Sequence, residues 1–216
     1  MKLTVLYDNE VYGKDPDLRA DWGFSCLIET GENTVLFDTG AKGGIFFSNM
    51  GALGIDPSNI DRVVISHEHW DHNGGLRKLS KAASGFDVIR TGRDPTASNY
   101  EQLVVNGPME VRKDIWTTGK LEAEPVDEQS LVLRGEKGWY VLVGCSHPGV
   151  GTILKAAESI GPSVGLIGGF HGLSDLGILE GLDRIYPMHC TVMKDGILKH
   201  FPGSASRGGV GLEIVI

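Results

Sequence analysis

Three histidines and two carboxylates crowd into six consecutive positions, His67-Glu68-His69-Trp70-Asp71-His72, between the apolar run Val63-Val64-Ile65 and the pair Gly74-Gly75. A short apolar run reads as a strand buried on both faces, and the glycine pair opens a helix. The polar cluster therefore lies at a strand-to-helix crossover, where open α/β sheets place their sites. Imidazole and carboxylate suit zinc, iron or manganese, and a run without thiolates points to an open catalytic site rather than a closed structural one. If the run is extended, alternate side chains put His67, His69 and Asp71 on one side and His72 on the other, so one loop can serve two metal centres. Asp71 stands where the helical H-E-x-x-H motif of zinc proteases needs its second histidine, which excludes that motif.

The same theme recurs along the chain. Residues 3–7, 21–29 and 34–37 read as an opening β-meander, and 60–65 as the strand before the histidine cluster. Residues 44–53 and 76–83 carry helical spacing. From 85 to 120 only 86–90 is strand-like, because Pro95, Asn106-Gly107-Pro108 and Thr118-Gly119 interrupt any pattern, and substrate-facing loops are expected there. Residues 131–134 and 139–143 form a hairpin that runs into Gly144-Cys145-Ser146-His147, ahead of a helix over 150–159. Residues 164–167 lead to Gly168-Gly169-Phe170-His171 and a short helix from 174. Residues 184–186 lead to Pro187-Met188-His189-Cys190-Thr191, and 210–216 form a terminal strand. Four apolar strands thus end at histidines.

His147 and His189 are the partners that the central cluster needs from elsewhere in the chain. His171 is open between ligand, proton donor and hydrogen-bonding support, and His200, after Lys199, reads as solvated. Asp38, at the end of an apolar strand, is either an Asx turn or a carboxylate that orients a metal-bound imidazole. Cys145 and Cys190 could act as thiolates, although small buried side chains are commoner at strand ends. Trp70 and Phe170 are pocket walls or, more commonly, core. Asp127 and Glu128 read by default as solvated turn carboxylates.

Composition bounds the rest. The 216 residues suit one domain spanning 1–216, and 31 glycines suit many tight turns. A net charge of -8 without a dense Lys/Arg cluster argues against nucleic acid as a partner. Three cysteines without a C-x-x-C pair suit a reduced compartment. With no charged-then-apolar leader and no run of membrane-spanning length, the expectation is a cytoplasmic protein with a small-molecule substrate and no membrane partner. Oligomeric state is left open.

The central run resembles the H-x-H-x-D-H signature of the metallo-β-lactamase superfamily, mostly hydrolytic enzymes built as a four-layer αββα sandwich. Asp8-Asn9, Gly23 to Glu29, Leu36 to Gly40, Gly144 to His147, Gly168 to His171 and His189-Cys190-Thr191 are similar to the group related to 7,8-dihydropterin-6-yl-methyl-4-(β-D-ribofuranosyl)aminobenzene 5'-phosphate synthase. The similarity runs from the first strand to Thr191 and is poor over 85–120. It implies two divalent metal ions, zinc first, with iron or manganese as alternatives. His67, His69 and His147 would hold one, and Asp71, His72 and His189 the other. It implies hydrolysis of an ester, lactone, amide or phosphoester by a metal-activated hydroxide, with Asp71 taking the nucleophile's proton and His171 protonating the leaving group. Many members use a Gly-Asp carboxylate to bridge the metals where this chain has Gly144-Cys145, which leaves the bridge to Cys145 or His171.

Two other readings stay open. A pterin-related synthase would form a carbon-nitrogen bond on a phosphorylated substrate, with Arg90, Arg93, Arg112 and Lys113 as candidate anion partners. A non-catalytic metal-binding sensor would have a site closed to solvent. An oxidative di-iron site would need glutamate in place of His69.

Overall fold

In β1 (Lys2–Tyr7), Leu3 and Val5 pack into one apolar cluster and Leu6 into another, and all three are fully buried. Such a strand needs cover on both faces, because a one-sided sheet would leave half of these side chains in water. The computed structural model, which describes residues 1–216, provides that cover. After β1 come β2 (Ser25–Glu29), β3 (Thr34–Phe37), α1 (Gly43–Ala52), β4 (Arg62–Val64), α2 (Trp70–Asn73), α3 (Leu76–Ala82), β5 (Asp87–Arg90) and β6 (Glu101–Val104). Then follow β7 (Met109–Arg112), β8 (Ile115–Thr117), β9 (Leu131–Arg134), β10 (Trp139–Val143), α4 (Val150–Glu158), β11 (Ser163–Gly169), β12 (Arg184–Met188), α5 (Lys194–His200) and β13 (Glu213–Val215).

The strands form two mixed sheets, ordered β13-β1-β2-β3-β4-β5-β6 and β12-β11-β10-β9-β8-β7. Leu3, Val5 and Ile28 of the first sheet share one core with Leu131, Leu133 and Leu142 of the second. On the outer face of the first sheet Phe46 and Met50 of α1 and Leu79 of α3 meet Leu6, Leu36 and Val63. On the outer face of the second, Ile153 of α4 and Ile197 of α5 meet Val141, Leu166 and Ile185. The result is the expected αββα order of layers. No helix is long and apolar enough to cross a membrane.

Three local expectations are corrected. The 85–120 stretch holds four strands, with β5 and β6 at one edge of the first sheet and β7 and β8 at one edge of the second. The pattern of β6 is hard to see because it alternates only between exposed and half-buried residues, as an edge strand does. The strand expected over 21–29 begins at Ser25, since Gly23 lies against the Asp71 carbonyl, where an added Cβ would come within 2.5 Å. The helix expected from 174 is a 3-10 turn, Leu176–Leu179.

Candidate metal centre

The parallel strands β3, β4, β10, β11 and β12 end on one edge of the sandwich, and each delivers polar residues there. Beyond β4 the chain is extended only to His69 and then turns into α2. This corrects the alternation expected for the run: Asp71 does not side with His67 and His69. The ligand atoms of His67, His69 and His147 instead lie within 4.8 Å of one another, and those of Asp71, His72 and His189 form a second group of the same span. The groups touch, with the His67 and His72 rings 4.1 Å apart between centroids. Glu68 points away from both, holding the Arg90 guanidinium through two bonds and accepting from Asn73.

Hydrogen bonding sets which ring nitrogen faces inward. Asp38 accepts from the Ser66 N–H and hydroxyl, each at 2.7 Å, and from Nδ1 of His72 at 2.7 Å. Burial foremost, with the Asp71 charge, pushes this carboxyl well up, while the Ser66 donors oppose that shift and, with the His72 ring, supply the three donors that suit the anion. Because the Ser66 hydroxyl donates to Asp38, its oxygen accepts from Nδ1 of His67 at 2.9 Å. Asn9 Oδ1 accepts from Nδ1 of His189 at 3.1 Å while its amide donates to the His189 carbonyl. Asp8 accepts the His189 N–H. All three Nε2 atoms therefore present lone pairs to the site, and those of His72 and His189 face each other at 3.2 Å. Burial pushes His67 and His72 well below the usual imidazole range and His147 down to about 4, so these rings are neutral, the form that binds metal.

Lone pairs facing lone pairs are repulsive without a cation between them. His147 adds a second sign, since its buried Nε2 has no hydrogen-bond partner. Asp71 adds negative charge: burial opposes its ionisation, but the carboxyl lies below the usual range, and its Oδ2 accepts from Trp22 Nε1–H. Five imidazoles and a carboxylate with these features fit divalent metal ions.

Backbone conformation shows how closely the loops are held. Asp38, Ser146 and His189, at the ends of β3, β10 and β12, have φ of 57°, 67° and 46°. Non-glycine residues adopt this region at a cost of roughly 1–3 kcal/mol, and such strain clusters at functional sites. Gly144 has no room for a side chain, because a Cβ there would meet the Ser66 hydroxyl at 2.3 Å.

Several assignments change once side chains are placed. Glu128 is no solvated turn residue: fully buried, it accepts the N–H groups of Cys145, Ser146 and His147 and so shapes the loop carrying His147. Asp127 stays at the surface beside Lys120. Trp70 is 62% exposed rather than core, whereas Phe170 is buried in the core under α4 and α5. His171 is exposed, its ring 5.3 Å from that of His147, and it belongs to neither ligand group. His200 is exposed at the end of α5, as expected. Sequence reasoning missed Trp22, whose Nε1–H donates to Asp71 Oδ2 at 2.8 Å and whose ring lies edge-on to His189. It also missed the roles of Asn9 and Ser66, and only their nearness to motif residues could have flagged them.

Of the four cations proposed for an anionic substrate, Arg90 lines a cavity of about 550 Å³ with Asn73, Arg77, Lys81 and Tyr100, and no histidine lines it. Arg112 and Lys113 line two other cavities, and Arg93 is exposed.

Two face-to-face sheets between helices, with imidazoles and carboxylates gathered at one edge, define a metal-binding αββα sandwich. The sequence profile of the metallo-beta-lactamase superfamily matches residues 23–155, and the chain belongs to that superfamily, whose members bind divalent metals. The chain is 26% identical to the 7,8-dihydropterin-6-methyl-4-(beta-D-ribofuranosyl)-aminobenzene-5'-phosphate synthase of Methanocaldococcus jannaschii, over 80% of this chain and 81% of that one. It is also 26% identical to an uncharacterized protein of the same organism, over 89% and 91% of the two chains. In structure it is similar to Tm1679, a metal-dependent hydrolase of the beta-lactamase superfamily, with a TM-score of 0.77 at 26% identity over 100% of this chain and 99% of that one.

Proposed function

We propose that this chain is a metal-dependent hydrolase acting on an ester, lactone, amide or phosphoester of a small molecule. The carrying observation is that one of two adjoining ligand groups opens to solvent: His69 and His147 are only half-buried, and His171 beside them is exposed. A structural or sensing site would be closed and saturated by protein ligands. When bound, divalent metals would supply Lewis-acid polarisation of the substrate and an acidified water.

The remaining roles belong to the chain. Asp38 and Ser66 hold His67 and His72 in the tautomer whose Nε2 faces inward, as Asn9 does for His189. Asp71, whose Oδ2 accepts from Trp22 and lies 3.5 Å from His189 Nε2, would orient the attacking water and accept its proton. His171, exposed with its ring 5.3 Å from that of His147, would protonate a leaving group. The exposed ring of Trp22 beside His189 offers an apolar surface to the substrate.

The synthase reading draws support from the named relative, but the four cations do not converge on one pocket, and Glu68 already occupies Arg90. Hydrolysis is favoured. The test combines elemental analysis of metal per chain with turnover of one ester, one lactone, one amide and one phosphodiester. Chelation and His67→Ala should each abolish turnover of at least one of them, and His171→Ala should keep its metal but lose roughly 100-fold in turnover. Metal-loaded protein inert on all four, or turnover indifferent to chelation, would overturn the proposal.

A further inference from the structure

Cys145 lies two residues past the end of β10, and its side chain is buried. Its Sγ is 3.2 Å from Nε2 of His72. With the ligand atoms of His67 and His72 it forms a set in which every pair lies within 4.8 Å, and it forms another such set with His189 and Cys190. His67 belongs to one imidazole group and His72 and His189 to the other, so this sulfur reaches donor atoms of both.

The local backbone holds it there. The Cys145 N–H donates to Glu128 at 2.9 Å, and its carbonyl accepts from the His171 N–H at 2.8 Å. Because Nδ1 of His72 donates to Asp38, the Nε2 facing the sulfur carries a lone pair. A lone pair and a sulfur directed at the same space are what two ligands of one cation look like before it arrives. Cys190 has a separate role, with its thiol donating to the Cys145 carbonyl at 3.7 Å.

We propose that Cys145 supplies a thiolate sulfur shared by both metal positions. The proposal rests on the metal-dependent reading above. On binding, the Cys145 S–H bond breaks, its proton leaves to the buffer, and sulfur lone pairs pass to the two cations. The thiolate adds a second negative charge to a set in which Asp71 is otherwise the one anion, offsetting more of the charge of two divalent ions. It also makes the site softer, favouring zinc or cobalt over manganese or magnesium.

Cobalt(II) titration of the whole chain, followed by near-ultraviolet and visible absorption, tests this without reference to turnover. The parent should show visible ligand-field bands and an intense thiolate-to-cobalt charge-transfer band that grows through two equivalents. Cys145→Ser should keep the ligand-field bands, lose the charge-transfer band and lower the preference for zinc over manganese by about 10-fold. Cys190→Ser should keep the band. Ligand-field bands without charge transfer in the parent, or a band that survives Cys145→Ser, would overturn the sulfur assignment and leave the metal centre standing. Saturation of the band at one equivalent would overturn the sharing. A parent that binds no cobalt would remove the metal-dependent reading itself. Should Cys145→Ser fail to fold, the parent spectrum and Cys145→Ala decide in the same way.

Discussion

In the group of Asp71, His72 and His189, every side chain is aimed by a hydrogen-bond partner: Trp22, Asp38 and Asn9. In the group of His67, His69 and His147, only His67 has a partner outside the group, the Ser66 hydroxyl, and His147 Nε2 has none at all. The first group is buried and carries a negative charge, whereas the second consists of neutral rings and opens toward solvent. Orientation and charge both favour binding, because less ordering entropy remains to be lost and a cation meets an anion. Two sets built from similar residues are thus prepared to different degrees. The Asp71 group should fill first, and the His67 group should be the adaptable one.

The largest effect should follow from Asp38→Ala. Three buried donors would lose their acceptor and two imidazoles their orientation, so the comparison would collapse from both sides. Unfolding by denaturant should show a loss of about 4 kcal/mol or more, and equilibrium dialysis a loss of roughly 100-fold in metal affinity. A loss under about 1 kcal/mol would mean that Asp38 is not the shared support.

Glu128 supports the His67 group through backbone rather than ring contacts, and pH reads its contribution. Burial raises its carboxyl from the ordinary 4.5 to about 7, against the N–H groups of Ser146, His147 and Cys145. In the metal-free chain the folded state then holds a proton on Glu128 that the unfolded state has released, so the contribution of this group to stability is fully present below pH 4.5 and falls as pH rises toward 7. Taken as the difference between the parent and Glu128→Gln, which cancels the opposite slope from the neutral buried His67, His72 and His147, the loss should approach about 3 kcal/mol. A difference between parent and Glu128→Gln that does not fall over this window would show that the three N–H groups outweigh burial.

Asp71→Asn and His69→Ala test the ranking directly. Each should cost roughly 10- to 100-fold in affinity, the first in the tighter of two binding steps and the second in the weaker. The reverse pattern would break the comparison. Smallest should be Trp22→Phe, which keeps a ring beside His189 but removes the donor to Asp71. About 1 kcal/mol, near fivefold in metal affinity, is expected by dialysis, since the indole is half exposed.

The sequence by itself determined an α/β protein with strands covered on both faces and the centre of its site, while the sandwich was implied by the resemblance of its H-x-H-x-D-H run. Apolar runs such as Val63-Val64-Ile65 demand two covered faces, and five candidate ligands at close spacing after one of them are hard to read otherwise. It also marked His147 and His189, because each ends a strand. Tertiary structure alone decided how these residues sort. Whether Asp71 joins His69 or His72 depends on the backbone turning helical at Trp70, and the spacing H-x-H-x-D-H is compatible with either. Asp38, Glu128, Asn9 and Trp22 were ambiguous or silent for the same reason. A carboxylate at a strand end and one in a turn look alike in one dimension, and only burial and the donors around each of them separate a solvated side chain from one that orients a ligand.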